Sequence, residues 1–269
     1  MKLLSRLYIS LIVFFLYAPV IVMILFSFNS SKSVWVFEGF STKWYESLTS
    51  NTIMLTALRH TAVVALLSAV ISTVLGTAAA VGITKMRNKL SKKILMSATQ
   101  IPLMNADIVT GISLMFLFVF IGKIIGSSES LGFFTVLIAH ITFNLPYVIL
   151  SVLPKLKQTD IHLFEAALDL GCTPIEAFFK VTIPSILTGI VTGFIMAFTL
   201  SLDDFVISYF TCGHYQTLPI VIFNMTKKSV TPDTYALSTL IFVTVFVLLV
   251  LYNVLQNKNS SKVSNKKGF

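Results

Sequence analysis

Charge is scarce in this sequence. Only 12% of its 269 residues are Asp, Glu, Lys or Arg, while 55% are apolar. An ordinary soluble domain carries about 25% charged residues, so a water-facing globule is excluded and a membrane class is implied. Cysteine is almost absent, and no Cys/His cluster has the spacing of metal ligands, which argues against a zinc site. The two cysteines, Cys172 and Cys212, fall on opposite sides of the membrane in the topology argued below, so no disulfide between them is expected. A phosphate-binding G-x-x-x-x-G-K-[ST] run is missing as well. Gly122-Lys123 is followed by Ile and has no upstream Gly at the required place, so no phosphate-binding loop of this type is expected on this chain.

What the chain does contain is long uncharged runs. A spanning helix needs about 20 mostly apolar residues, and six stretches qualify: Leu7–Phe28, Thr61–Thr84, Ile94–Gly122, Leu131–Leu153, Ser185–Phe210 and Thr234–Gln256. Lys2 and Arg6 before the first run imitate a signal peptide. The run is 22 residues long, beyond the roughly 7–15 of a signal core, and no small-residue cleavage site precedes Asn29. It is read as an uncleaved first span. Leu218–Met225 is too short to span and carries a proline, so it is expected to be interfacial or re-entrant. The chain is therefore expected to be an all-α membrane protein of six transmembrane helices. A single transmembrane domain would cover residues 1–257, and a disordered cytoplasmic tail, rich in Asn, Ser and Lys, would cover 258–269.

Orientation follows from the basic residues in the connections. With both termini cytoplasmic, the inside segments hold Lys2, Arg6, Lys85, Arg87, Lys89, Lys92, Lys93, Lys155, Lys157, Lys180, Lys258, Lys262, Lys266 and Lys267, which is 14 of the 20. The outside keeps Lys32, Lys43, Arg59, Lys123, Lys227 and Lys228. The net charge of +9 is thus a topology signal and calls for no nucleic acid. In the outside loop, Trp35, Trp44 and Tyr45 suit the headgroup region.

The longest inside loop, residues 154–184, has its own pattern. Leu163, Phe164, Ala167, Leu168 and Leu170 recur at helical spacing, opposite Asp160, Glu165 and Asp169. Gly171 suits the left-handed position after a helix end. Thr173 can cap a second short helix with Pro174 first and Glu176 third, and Pro184 then opens the next span. Two short amphipathic helices at an angle make a knob for a partner's groove. The competing reading is a helix pair lying on the lipid surface, for which the basic residues are few.

Intramembrane carboxylates are costly, roughly 2.5–3.5 kcal/mol each at mid-helix on insertion scales, and mark function by default. Asp107, Asp203 and Asp204 qualify. On the fifth span at about 100° per residue, Gly189, Gly193, Ala197 and Ser201 form a small-residue stripe that includes Asp204 and suits close helix packing. Val191, Phe194, Ile195, Phe198, Leu202 and Phe205 form a bulky face suited to lipid. Asp203 projects beside Thr192, Met196 and Thr199. Asp203, Asp204 or both would line a cation path, or one would be structural, bonded to a serine or to broken-helix backbone. Adjacent residues cannot point one way, so one in each role is expected. Asp107 follows Pro102 and Asn105, where the helix should kink or break. It either caps the outer half-helix or meets substrate. His140 and Asn144 share a face at i, i+4, and for a lone His interhelical hydrogen bonding is expected rather than a proton relay.

The run Glu165-Ala166-Ala167, then Gly171, then Val181-Thr182-Ile183-Pro184, resembles the EAA loop of importer-type ABC permeases, and it lies between the fourth and fifth expected spans as in that family. Gly39–Tyr45, Asp107–Leu114, His140–Pro146, Ser201–Phe205 and Thr217-Leu218-Pro219 are similar to the second permease subunit of the spermidine/putrescine importers. The resemblance covers nearly the whole chain, and Cys172 stands where a small Ala is common. It implies the importer-type permease fold with cytoplasmic coupling helices and an ATPase-coupling set of Glu165, Ala166, Ala167, Gly171 and Pro184. It further implies polyamine transport by alternating access, with no catalytic residue, cofactor or metal of its own. The implied partners are a homologous permease subunit, a cytoplasmic ATPase dimer, an extracytoplasmic substrate-binding protein and membrane lipid. The location implied is the bacterial cell (inner) membrane, multi-pass. Permeases for other small organic or cationic solutes share part of the pattern. A secondary transporter would typically show internal repeats, and a membrane enzyme would need a nucleophile–base pair or metal cluster. Neither pattern is present.

Overall fold

The computed structural model describes residues 2–31, 36–126, 130–228 and 234–247. Helices dominate because backbone polar groups in hydrocarbon must be satisfied within the segment itself. They are α1 (Lys2–Ser27), α2 (Lys43–Ser50), α3 (Thr52–Lys85), α4 (Lys89–Met104), α5 (Asp107–Ile125), α6 (Phe133–Gln158), α7 (Ile161–Asp169), α8 (Pro174–Ala177), α9 (Ile183–Asp203), α10 (Val206–Thr211) and α11 (Leu218–Lys228). A last helix, α12, runs over Thr234–Val247. Among the described residues, five helical runs are long and apolar enough to cross a membrane: Arg6–Ser27, Thr52–Lys85, Asp107–Ile125, Phe133–Gln158 and Pro174–Asp203. The sixth expected span is helical as far as Val247. Its remainder, the tail 258–269 and the loop residues Lys32 and Trp35 lie outside the described residues.

The chain forms two compact units, Met1–Leu55 with Ile222–Phe269, and Thr56–Val221. In the first, the segment after α1 folds back on the helix end. The Asn29 side chain donates to the Val36 carbonyl (2.7 Å) and accepts from the Glu38 amide (3.0 Å). Trp44 is buried there, and its indole donates to the Asn29 carbonyl at 2.6 Å.

In the second unit, α6 is the central helix. Its Val148, Ile149, Val152 and Leu153 pack with Ala69, Ala80 and Ile83 of α3 and with Ile186 and Ala197 of α9. Close approach depends on glycine. A Cβ on Gly76 would stand 2.7 Å from Val148 Cγ1, and one on Gly193 would stand 3.3 Å from the Val148 Cα. Val148 is thus received by a glycine from each neighbouring helix. The stripe of Gly189, Gly193, Ala197 and Ser201 is buried, as its small residues require. Phe194 and Phe198 differ from the lipid-facing expectation, since both are half-buried against the same core.

Two long apolar stretches are interrupted. The third breaks at Asn105-Ala106, just past Pro102, dividing it into α4 and α5. The fifth breaks at Asp204-Phe205, dividing it into α9 and α10. The halves beyond the breaks pack together: a Cβ on Gly111 of α5 would meet Phe210 Cδ2 at 2.9 Å and the Ile207 Cα at 3.4 Å.

Candidate functional site

The loop 154–184 is built by local capping chemistry. Asp160 accepts from the His162 amide at 3.0 Å and starts α7. At its end, the Cys172 amide donates to the Ala167 carbonyl (3.0 Å) and the Gly171 amide to the Leu168 carbonyl (2.9 Å). Gly171 holds φ +87°, the left-handed turn that glycine adopts without a Cβ penalty. Thr173 Oγ1 then accepts from the Glu176 amide (3.3 Å), while Glu176 Oε2 accepts from the Thr173 amide (3.0 Å). This reciprocal pair is the capping box that Thr173, Pro174 and Glu176 spell in sequence. The Thr173 amide and hydroxyl, with Lys180 beyond them, hold the Glu176 carboxyl below the usual carboxylate range.

One local expectation is corrected. The second short helix does not end before the next span. Phe178–Thr182 form a wide π-helical turn, and the Ile183 amide donates to the Phe178 carbonyl. Pro184 supplies the reason: it has no N–H for the Lys180 carbonyl, and its ring would clash there in a regular turn. The helix widens instead of breaking, so Pro174–Asp203 runs as one rod.

Of the expected coupling residues, Glu165 and Ala166 are exposed on α7, Ala167 is buried, Gly171 is exposed at the turn, and Pro184 lies inside the continuous rod. Large apolar side chains stand out around them: Leu170 is 87% exposed and Ile175 71%. Such a patch on a protruding knob is suited to a partner surface. Lys85, at the end of α3, rests 5.1 Å from the Phe164 ring centroid and ties α7 to the bundle.

The two adjacent carboxylates have separate environments. Asp204, beyond the last turn of α9, accepts from the Ser208 amide at 2.7 Å and the Ile207 amide at 3.3 Å. It therefore satisfies the first free amides of α10. Its Oδ2 also lies 3.4 Å from His140 Nε2, which is 2.9 Å from Ser208 Oγ. A turn along α6, Asn144 Nδ2 donates to Ser201 Oγ (2.9 Å), and Ser201 Oγ is 2.9 Å from Ser68 Oγ of α3. Asp203, the last residue of α9, is exposed. Asp107 is exposed in the first turn of α5, with no side-chain bond capping that helix. Gly111, one turn past Asp107, packs against Ile207 of α10, so the helices that follow the two breaks are in contact. His140 and Asn144 bond between helices, as their shared face suggests. Ser68, Ser201 and Ser208 complete the network; the i, i+4 spacing of Ser208 from Asp204 was the available signal.

Residues 72–265 match the model of the family described as "Binding-protein-dependent transport system inner membrane component". The chain belongs to this family. It is a multi-pass inner-membrane permease, a transport subunit and not an enzyme. Membership implies partner proteins, including the binding protein on which such transport depends. Among similar proteins is the putrescine transport system permease protein PotI of Escherichia coli K12, 39% identical over 228 residues, 84% of this chain and 81% of that protein. The spermidine/putrescine transport system permease protein PotC of Haemophilus influenzae is 36% identical over 247 residues, 91% of this chain and 93% of its own length. A crystal structure of a bacterial ABC transporter involved in the import of the acidic polysaccharide alginate matches with TM-score 0.72 at 15% identity. That match spans 96% of this permease and 95% of the other chain. The likeness is one of fold, that of an importer permease.

Proposed function

We propose that this permease moves polyamines, spermidine and putrescine, inward across the membrane by alternating access powered by a separate ATPase. The substrate class is supported by what the PotI and PotC relatives are named for. It is carried on this chain by Asp203, a carboxylate left exposed where a membrane helix ends. An ammonium group leaving water needs a carboxylate, carbonyl or aromatic face in its place. Asp107, in the first turn of the neighbouring broken helix, would serve a second ammonium of the same molecule. Asp204 is held inside by the α10 amides and His140, which fits the structural role expected for one of the pair.

In this reading the permease domain covers 1–257 and both termini are cytoplasmic. The knob of Glu165, Ala166, Ala167 and Gly171 seats in a cytoplasmic ATPase, and a homologous permease and an extracytoplasmic binding protein complete the assembly. ATP-driven closure of the ATPases would move the knob, and the rod beginning at Pro174 and passing through Pro184 would carry that motion to Asp203. The test is uptake of labelled spermidine and putrescine into vesicles holding the whole complex. Neutralising Asp203→Asn should raise the KM roughly tenfold or more, the size of one lost charged contact, and Asp107→Asn should act in the same direction. Wild-type uptake by both variants, singly and combined, would sink the substrate path proposed here.

A further inference from the structure

His140 is 1% exposed in the first third of α6, and a buried imidazole needs partners that repay its desolvation. Its Nε2 faces Ser208 Oγ at 2.9 Å and Asp204 Oδ2 at 3.4 Å. Asp204 meanwhile accepts the Ile207 and Ser208 amides. The ring therefore clasps the break from the α10 side. One turn further along α6, Asn144 reaches Ser201 and ties the same break from the α9 side. His140 Nδ1 and Asn144 Oδ1 are buried without hydrogen-bond partners. Two polar side chains thus sit in the core with half their capacity unused, and each spends the other half on a flank of the break. Merely filling that space would be done at lower cost by apolar residues.

The consequence concerns which carboxylate faces in. Asp203 and Asp204 are adjacent, and either could in principle cap the free amides of α10. Asp204 wins because the imidazole is waiting for it on the inner side. With Asp204 engaged and its backbone extended at φ −62°, ψ 116°, Asp203 is left on the exposed side. We propose that His140 is a positioning residue for cation transfer: by holding Asp204 against α10 it keeps the Asp203 carboxylate outward and available to an ammonium group. This rests on the assignment of Asp203 to the substrate path.

The test is a double-mutant cycle on the KM for spermidine uptake, measured in vesicles with the complete complex, alongside the maximal ATPase rate. His140→Leu should raise the KM roughly tenfold, in the range of one lost charged hydrogen bond, while the maximal ATPase rate stays near wild type. His140→Gln, whose amide can still donate to Asp204, should restore most of the loss. In an Asp203→Asn background, His140→Leu should add nothing, because the group it positions is already neutral. A purely structural histidine would instead give additive losses and a lower maximal rate, and either result overturns the proposal. An unchanged KM for His140→Leu beside a raised KM for Asp203→Asn defeats the positioning role and leaves the path intact. An unchanged KM for Asp203→Asn defeats the path itself, and the positioning role with it. Should His140→Leu fail to assemble, His140→Phe takes its place, filling the space of the ring while offering no donor to Asp204; the same outcomes then decide.

Discussion

Gly171 offers the sharpest perturbation of the coupling knob. It turns the chain between α7 and α8 at φ +87°, and a Cβ there would meet nothing within 4 Å. The cost of a side chain is therefore backbone strain alone, with no steric term to confuse it. For Ala that cost is about 1–2 kcal/mol; for a β-branched Val the position is a genuine outlier and the cost is higher. Asn enters the left-handed region readily and should lose only a fraction of that. The strain does not unfold the bundle, because neither bond closing the turn reaches beyond the loop. It falls on the local equilibrium that sets the angle between α7 and α8, where about 1.4 kcal/mol is a tenfold change in population. Coupling should therefore grade in the order Gly171→Asn, Gly171→Ala, Gly171→Val, from near wild type to about tenfold or more below it. The measurement is ATP hydrolysis stimulated by loaded binding protein in the purified complex, normalised to the ATPase that co-purifies. A Val variant that couples normally, or an Asn variant no better than Val, would refute the claim that a left-handed turn shapes the knob.

Two further outcomes follow from packing and capping. Thr173→Val removes the oxygen that accepts from Glu176 and should cost about 1 kcal/mol of local helix stability, seen as faster amide exchange at residues 174–177 with the rest of the rod unaffected. Gly193→Val should push α9 from α6, since a Cβ there would stand 3.3 Å from the Val148 Cα and Cγ1 before the two methyl groups are added. Overpacking of this kind costs about 1–3 kcal/mol, so the melting temperature of the complex should fall, and Val148→Ala should return part of the loss. No recovery in that pair would mean the two residues do not share the contact.

Sequence reading succeeded where the physics is local. Gly171, Thr173, Pro174 and Glu176 act within a turn of themselves, so their spacing alone placed the knob's bends. The small-residue stripe also read correctly, because periodicity specifies which residues share a face even before the partner helix is known. The breaks near Asp107 and at Asp204 were suggested by Pro102 and by paired charge. The clasp was not readable: Asp204 and His140 are far apart in sequence, and their pairing is a product of how α6 meets α9. The first nine residues of α3 lie outside the expected span because Arg59 and His60 end the uncharged run, whereas a helix itself has no objection to charge. Phe194 and Phe198 were misplaced for a similar reason, since bulk suits a core as well as lipid.

The wide turn at Phe178–Thr182 also sets the phase of everything downstream. Ala177 and Ile186 are both fully buried and stand nine positions apart. On a regular helix, at about 100° per residue, they would face opposite ways. The extra residue taken up by the π turn brings them to within about 80° of each other, so one end of the rod can be buried in the knob while the other is buried on α6. Deleting a single residue between 178 and 182 would leave every downstream side chain intact in sequence. By closing the π turn to a regular one it would also keep the phase of the glycine stripe and of Asp203, whereas the same deletion just after Pro184 would dial both by about 100° around the axis.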